Sequence, residues 1–200
     1  GKSVLVQCLL WQAIQQADVV YVADFKGGVD FSYVWQEFAY IITEETKLLV
    51  LLNHLADTLE ERKRLFKEVD AANITEYREK SGDYMQRIVF ACDEVAELLD
   101  KTGADKARKE LLAQIEARLA LIARQGRAFG IHLILATQRP DANILPGQIK
   151  NNMNIRICGR ADTTLSTIII GDGRAAEQIP HDAQGRFLME DGTVFQAYYF

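Results

Sequence analysis

The chain has 200 residues, 48% apolar and 26% charged, with a net charge of −5; these values suit one domain with a substantial core and exclude collagen-like and low-complexity classes. No apolar run approaches the length of a membrane span and no signal peptide is visible. The acidic balance argues against a surface that attracts nucleic acid everywhere, and the widely spaced Cys8, Cys92 and Cys158 suit buried free thiols of a reducing compartment, not a disulfide framework or metal site.

In chain order, "GKSVLVQCLLWQAIQQ" opens on Gly-Lys-Ser and continues as an apolar helix. "DVVYVADF" (18–25) is rich in β-branched and aromatic residues and predicts a buried strand, broken by "KGGVDF". "AYIIT" predicts a second short strand. "ETKLLVLLNHLADTLEERKRLFKEV" carries apolar residues at helical spacing with a charged outer face. "NITEYREKSGD" predicts a polar connection with one helical turn. "RIVFACDE" predicts a strand running into two acids, and "DKARKELLAQIEARLALIARQGRAFG" a long helix ended by glycines. "IHLILATQ" predicts a fourth strand, followed by a loop, "RPDANILPGQ". "IRICGR" is a further strand candidate, "DTTLSTIII" reads as helix or strand, and "GRFLMEDGTVFQAYYF" as a terminal hairpin with an Asp-Gly turn. Strands separated by helices imply an α/β fold, a parallel sheet covered on both faces. Such sheets bind ligands at the C-terminal ends of their strands.

Three strand ends carry candidate chemistry. Asp93 and Glu94 close the third strand, where a P-loop NTPase places its Walker B acids: one supports Mg²⁺ and the next accepts a proton from the attacking water. The same acids also suit the start of the following helix as caps. Thr137 and Gln138 close the fourth strand, where a polar group can orient that water or where a strand simply exits. Asp24 and Lys26 close the first; Lys26 faces phosphate, a neighbouring subunit or solvent. The opening Gly1-Lys2-Ser3 matches the tail of G-x-x-x-x-G-K-S/T, with the first five positions of that motif ahead of Gly1. Order and context together indicate a P-loop NTPase with a RecA-like core, spanning residues 1–200 and cut inside its Walker A motif.

"GRAFGIHLILATQRPDANILPGQIKNN" resembles the signature block of the FtsK/SpoIIIE family of ATP-driven DNA translocases. "DFKGGVDFS" is similar to that family's Asp-x-Lys stretch, and "RIVFACDEVAELL" to its Walker B segment. The likeness runs from Gly1 to about Gly185. It implies a RecA-like motor that assembles as a homo-hexamer, with ATP and Mg²⁺ between subunits and double-stranded DNA through the pore. By position, Gly1, Lys2 and Ser3 would hold nucleotide phosphates, with Ser3 and Asp93 on Mg²⁺. Glu94 would be the catalytic base and Gln138 a γ-phosphate sensor, and Arg127 would reach the neighbouring subunit's nucleotide. Arg139 and Lys150 match positions facing DNA in the pore. The family's chromosome translocases carry further basic residues after the strand matching "IRICG", where this chain has Thr164 and Ile168, with Arg160 placed to compensate.

The tail from Gly159 onward resembles FtsK-like proteins of conjugative elements, which feed DNA to a transfer channel. Type VII secretion ATPases, which move protein, share the expected fold, and a ring module that binds without hydrolysing is a third reading. The resemblance implies a cytoplasmic domain, compatible with a membrane anchor upstream in the parent protein.

Overall fold

The computed structural model describes residues 1–26, 30–138 and 146–198. Helix α1 (Lys2–Gln15) leads into β1 (Val19–Ala23) and β2 (Tyr40–Ile42), then α2 (Glu45–Glu68) and α3 (Ile74–Ser81). Strand β3 (Ile88–Cys92), α4 (Val95–Leu99), α5 (Lys106–Gln125) and β4 (Ile131–Leu135) follow. The last part holds α6 (Gly147–Lys150), β5 (Ile157–Cys158), α7 (Thr163–Ile170), α8 (Arg174–Gln178), β6 (Arg186–Met189) and β7 (Val194–Gln196).

The first four strands form a parallel sheet ordered β2-β1-β3-β4. Strand β3 lies inside it and all five of its residues are buried, which is why "IVFAC" shows no polar alternation. Its pleat divides the core. Phe90 and Cys92 face a layer built from Leu48, Leu52, Leu55 and Leu59 of α2 with Leu112, Ile115 and Leu119 of α5. Those positions recur every three or four residues, one stripe per helix. Val89 and Ala91 face the opposite layer, where α1 contributes Val6 and Leu10 beside Phe31 and Trp35. Each large apolar side chain buried this way contributes roughly 1.5–3 kcal/mol. The expected α/β architecture, a parallel sheet between two helical layers, is present.

Arg62 is 7% exposed, and its guanidinium is held by backbone carbonyls. It donates to the carbonyls of Phe129 (2.6 Å), Gly130 (3.4 Å) and Gln86 (2.7 Å). One cation thus ties α2 to the residues that enter β3 and β4. Burial lowers its pKa, and three carbonyl dipoles offset the desolvation.

Two segments differ from the expected pattern. Residues 73–83 hold a two-turn helix, not a single turn. Asn73 accepts from the amides of Thr75 and Glu76, while Glu76 accepts from Ala72 N–H (3.0 Å). This reciprocal cap and a left-handed Gly82 at the far end fix the helix despite its polar sequence. Residues 162–170 resolve as helix: Asp162 accepts from Leu165 N–H at 2.7 Å and Gly171 adopts φ 92° at the C-terminus. Caps at both ends outweigh the strand preference of Thr and Ile.

Strand β5 does not join the parallel sheet. It pairs antiparallel with β6, which pairs with β7 as the expected hairpin. A second small core of Cys158, Ile170, Ala175, Ile179 and Leu188 sits between these strands and α7 and α8. All three cysteines are free; Cys92 and Cys158 are buried, whereas Cys8 is half-buried. Burial pushes the Cys92 thiol up to about 12, so it packs as an inert apolar group. No helix among the described residues is long and apolar enough to cross a membrane.

Candidate active site

Parallel pairing sends the C-terminal ends of β1, β3 and β4 to one edge of the sheet, where Asp24, Asp93-Glu94 and Thr137-Gln138 emerge. The first turn of α1 meets them there. Its leading amides lack partners within the helix, and the helix dipole favours negative charge at that point.

Lys2 reaches across to the acids of β3. Its ammonium donates to the backbone carbonyl of Asp93 and to Glu94 Oε2 at 3.2 Å, and lies 3.4 Å from Asp93 Oδ1. Glu94 is held from the other side as well: the Thr137 hydroxyl donates to Oε1, and the Gln138 N–H donates to Oε2 at 2.9 Å. Residues from two other motifs therefore converge on the Glu94 carboxylate. Glu94 stands at the N-cap of α4, yet its side chain makes no capping hydrogen bond to that helix.

Asp93 is 3% exposed. Lys26 Nζ lies 2.7 Å from its Oδ2, while Oδ1 is buried without a hydrogen-bond partner. Burial pushes the Asp93 carboxyl up, but the Lys26 hydrogen bond and the charges of Lys2 and Lys26 outweigh it, leaving its pKa below the ordinary value. Lys26 shows the mirror effect: burial lowers its pKa, and Asp93, Glu94 and Asp30 raise it further than that. The Lys26 amide donates to Asp24 Oδ1 at 2.9 Å, a local turn that aims the side chain inward.

Ser3 donates to Asp30 Oδ2 at 3.2 Å, and Gln7 donates to the Asp30 carbonyl. Asp30 also lies 4.0 Å from the Lys26 ammonium. Its part in the cluster was not read from the sequence; an acid two residues beyond a Gly-Gly pair gives little signal until Ser3 is placed opposite it.

The donor set suits a hard cation. It offers a buried Asp93 oxygen lacking a hydrogen bond, with the Ser3 hydroxyl and a second carboxylate nearby. No group of three or more His, Cys, Asp and Glu side chains among the described residues could hold a metal alone. A magnesium ion bound with nucleotide needs only one or two protein ligands and completes its shell with phosphates and water.

The remaining predicted residues are dispersed. Gln138 contributes its backbone N–H to Glu94 while its side chain is exposed. Arg127 is exposed in a short turn (Arg127–Phe129) ahead of β4, at the sheet end opposite the acids. It does not meet the site of its own chain. Lys150 donates to the Ile168 carbonyl (3.2 Å) at the C-terminal turn of α7, and Arg160 donates to the His181 carbonyl (2.8 Å). Thr164 is exposed and Ile168 half-buried on α7. Arg139 lies outside the described residues.

A cleft of about 780 Å³ opens beside Lys2, along the edge of β4. Its basic lining comprises Lys2, Lys150, Arg156, Arg160 and Arg186, the rest is mostly apolar, and no Asp or Glu among the described residues lines it. A chain with net charge −5 thus presents a locally cationic cavity next to its phosphate-binding candidate.

Over residues 1–142 the chain matches the model of the FtsK/SpoIIIE family. It is 32% identical over 143 residues to the DNA translocase FtsK of Campylobacter jejuni subsp. jejuni (strain 81-176), covering 70% of this chain and 14% of that protein. The solved structure of the pCW3 conjugation coupling protein TcpA, a monomer form with ATPγS, superposes with a TM-score of 0.93 at 40% identity, over 99% of this chain and 57% of that one. The cytoplasmic domain of the type VII secretion ATPase EccC from Thermomonospora curvata shares the fold, with a TM-score of 0.70 at 24% identity over all of this chain and 24% of that one. Lys2, Asp93, Glu94 and a polar strand end gather at one edge of a parallel sheet, and with these matches the chain belongs to the FtsK/SpoIIIE family of ATPases.

Proposed function

We propose that this chain forms the ATP-hydrolysing core of a ring motor that drives double-stranded DNA, and specifically one that feeds DNA to a conjugative channel. The observation that carries the reading is the convergence of Lys2, Thr137 and the Gln138 amide on Glu94, beside a buried Asp93. Hydrolysis needs those groups together: a cation for the β- and γ-phosphates, an acid for the metal, and a carboxylate that takes a proton from water. The conjugative assignment is supported by the likeness to TcpA over nearly the whole chain.

In this reading Gly1, Lys2 and Ser3 hold phosphate, together with the P-loop positions ahead of Gly1. Ser3 and Asp93 would hold magnesium, which would supply charge neutralisation at the transferred phosphoryl group. Lys2 leaves Glu94 to reach phosphate, and this frees the Glu94 carboxylate to accept the proton. Thr137 and the Gln138 amide keep Glu94 aimed, and the Gln138 side chain faces the γ-phosphate. Arg127 acts on the neighbouring subunit's nucleotide in a hexamer. Arg139, Lys150 and Arg160 grip DNA phosphates without reading sequence.

One observation favours a motor that moves protein. The exposed side chains of α7 include Thr163, Thr164 and Thr167 and no basic group. The deciding assay is ATP turnover by a longer protein that carries the P-loop residues ahead of Gly1. Stimulation by double-stranded DNA is expected. Stimulation by a secretion peptide alone would assign protein as the cargo, and no turnover under any condition would overturn the hydrolytic reading.

A further inference from the structure

Lys26 stands where a divalent cation would compete with it. Its ammonium lies 2.7 Å from Asp93 Oδ2 and 4.0 Å from Asp30 Oδ2, the oxygen that also accepts from the Ser3 hydroxyl. The two side chains assigned to magnesium, Ser3 and Asp93, are thus bridged through Lys26 and Asp30. The geometry is built rather than incidental: Asp24, itself 2% exposed, fixes the Lys26 amide, and the Asp93 side chain is 3% exposed against 27% for Lys26. Three carboxylates, Asp30, Asp93 and Glu94, face the two ammonium groups of Lys2 and Lys26. Replacing Lys26 by a neutral residue leaves a buried acid short of one counter-charge.

We infer that Lys26 is a positioning residue, a resident cation that holds Asp93 in place and competes with the divalent metal for it. The inference rests on the proposed placement of the metal at Ser3 and Asp93, and it adds a competitor to that site. Its chemical consequence is selectivity in time. A metal ion arriving without phosphates meets an already neutralised acid and binds weakly. One arriving with a triphosphate brings ligands of its own and displaces the ammonium. A static structural ion pair would have no such relation to metal.

The test uses thermal melting of the chain as it stands, with MnCl₂ as the probe. Lys26→Met removes the charge while keeping the length of the side chain. Manganese at 10 mM should raise the melting temperature of Lys26→Met by about 4 °C and that of the unsubstituted chain by less than about 1 °C. Lys26→Arg should restore the small response. Lys26→Met with Asp93→Asn should lose the response and melt higher than Lys26→Met alone, since the uncompensated acid is gone. Equal manganese responses in the unsubstituted chain and Lys26→Met would overturn the inference. So would a double variant no more stable than Lys26→Met, including the case in which neither folds. These melts do not depend on ATP turnover. A longer protein that hydrolyses normally while the melts show no competition leaves the motor reading standing and removes Lys26; an inactive protein with manganese competition does the reverse.

Discussion

Lys2 and Glu94, 92 positions apart in sequence, share an ion pair of 3.2 Å across the end of the sheet. The proposed phosphate-binding cation and the proposed proton-accepting carboxylate thus hold each other. Thr137 and the Gln138 amide also hold Glu94, so in the proposed reaction its orientation does not depend on the lysine.

Glu94→Gln in the longer protein tests that division of labour. The amide retains two polar atoms for Thr137, Gln138 and Lys2, so ATP affinity should stay within about threefold. Turnover should fall by roughly 10²-fold or more, because the group that accepts the proton of water is lost. Turnover within threefold of the unsubstituted protein, in steady-state and single-turnover assays, would remove Glu94 as the base.

The site was legible in the sequence in proportion to how local its signals are. Gly1-Lys2-Ser3 opening a helix and Asp93-Glu94 closing a strand are contiguous patterns, and parallel pairing brings them to one edge. The contact between Ser3 and Asp30 is not local: it depends on how the chain returns from β1 to α1. In the fold, Ile74–Ser81 and Thr163–Ile170 are helical because capping outweighs local propensity there. Asn73, Glu76, Asp162 and Gly171 carried the information. The pairing of β5 with β6 was hidden for another reason: two residues hold no pattern that separates a parallel edge from an antiparallel one.

The "GRAFG" stretch has a steric reason for its first glycine. A Cβ on Gly126 would meet the carbonyl oxygens of Ile131 at 2.7 Å and Ile122 at 2.8 Å, both backbone atoms. Gly126 also joins α5 to β4, donating to Ile122 and accepting from Ile131 N–H at 3.0 Å. Gly126→Ala should therefore destabilise by about 2–4 kcal/mol, lowering the melting temperature by roughly 5–12 °C. Gly147→Ala is the control. Its nearest neighbour would be the Asn151 amide at 3.9 Å, and it should change stability by less than about 1 kcal/mol. Chemical denaturation of both variants gives the comparison, and equal effects would contradict the steric account.

His132 gives a separable pH signature. Burial, then the charge of Arg87, lowers its pKa from the ordinary 6.5. The unfolded chain therefore binds a proton at higher pH than the folded one. Between the two pKa values the unfolded state holds more protons, so stability rises with pH there. The contribution is complete above about 6.5 and is lost as pH falls through the lowered folded value. Urea denaturation at pH 7.5 and pH 5.5 should show a smaller loss of stability in His132→Gln than in the unsubstituted chain. Parallel losses would place His132 outside the pH response.

Arg127 cannot serve the acids of its own chain, because it sits ahead of β4 while Asp93 and Glu94 follow β3 in a parallel sheet. A role in hydrolysis then requires a neighbouring subunit, and that requirement is testable with mixed rings. Arg127→Ala in the longer protein should reduce turnover by on the order of 10³-fold as a pure ring, the scale expected of an arginine supplied across an interface. Lys2→Ala rings should be inactive as well. Rings assembled from both should regain part of the activity, since an intact Lys2 from one parent then meets an intact Arg127 from the other. Sizing and subunit-exchange measurements must first show that the rings mix. Normal turnover for Arg127→Ala alone would separate it from the chemistry. Loss without rescue in rings shown to mix would assign it to folding or assembly, since its position in the sheet leaves no path to the site within one chain.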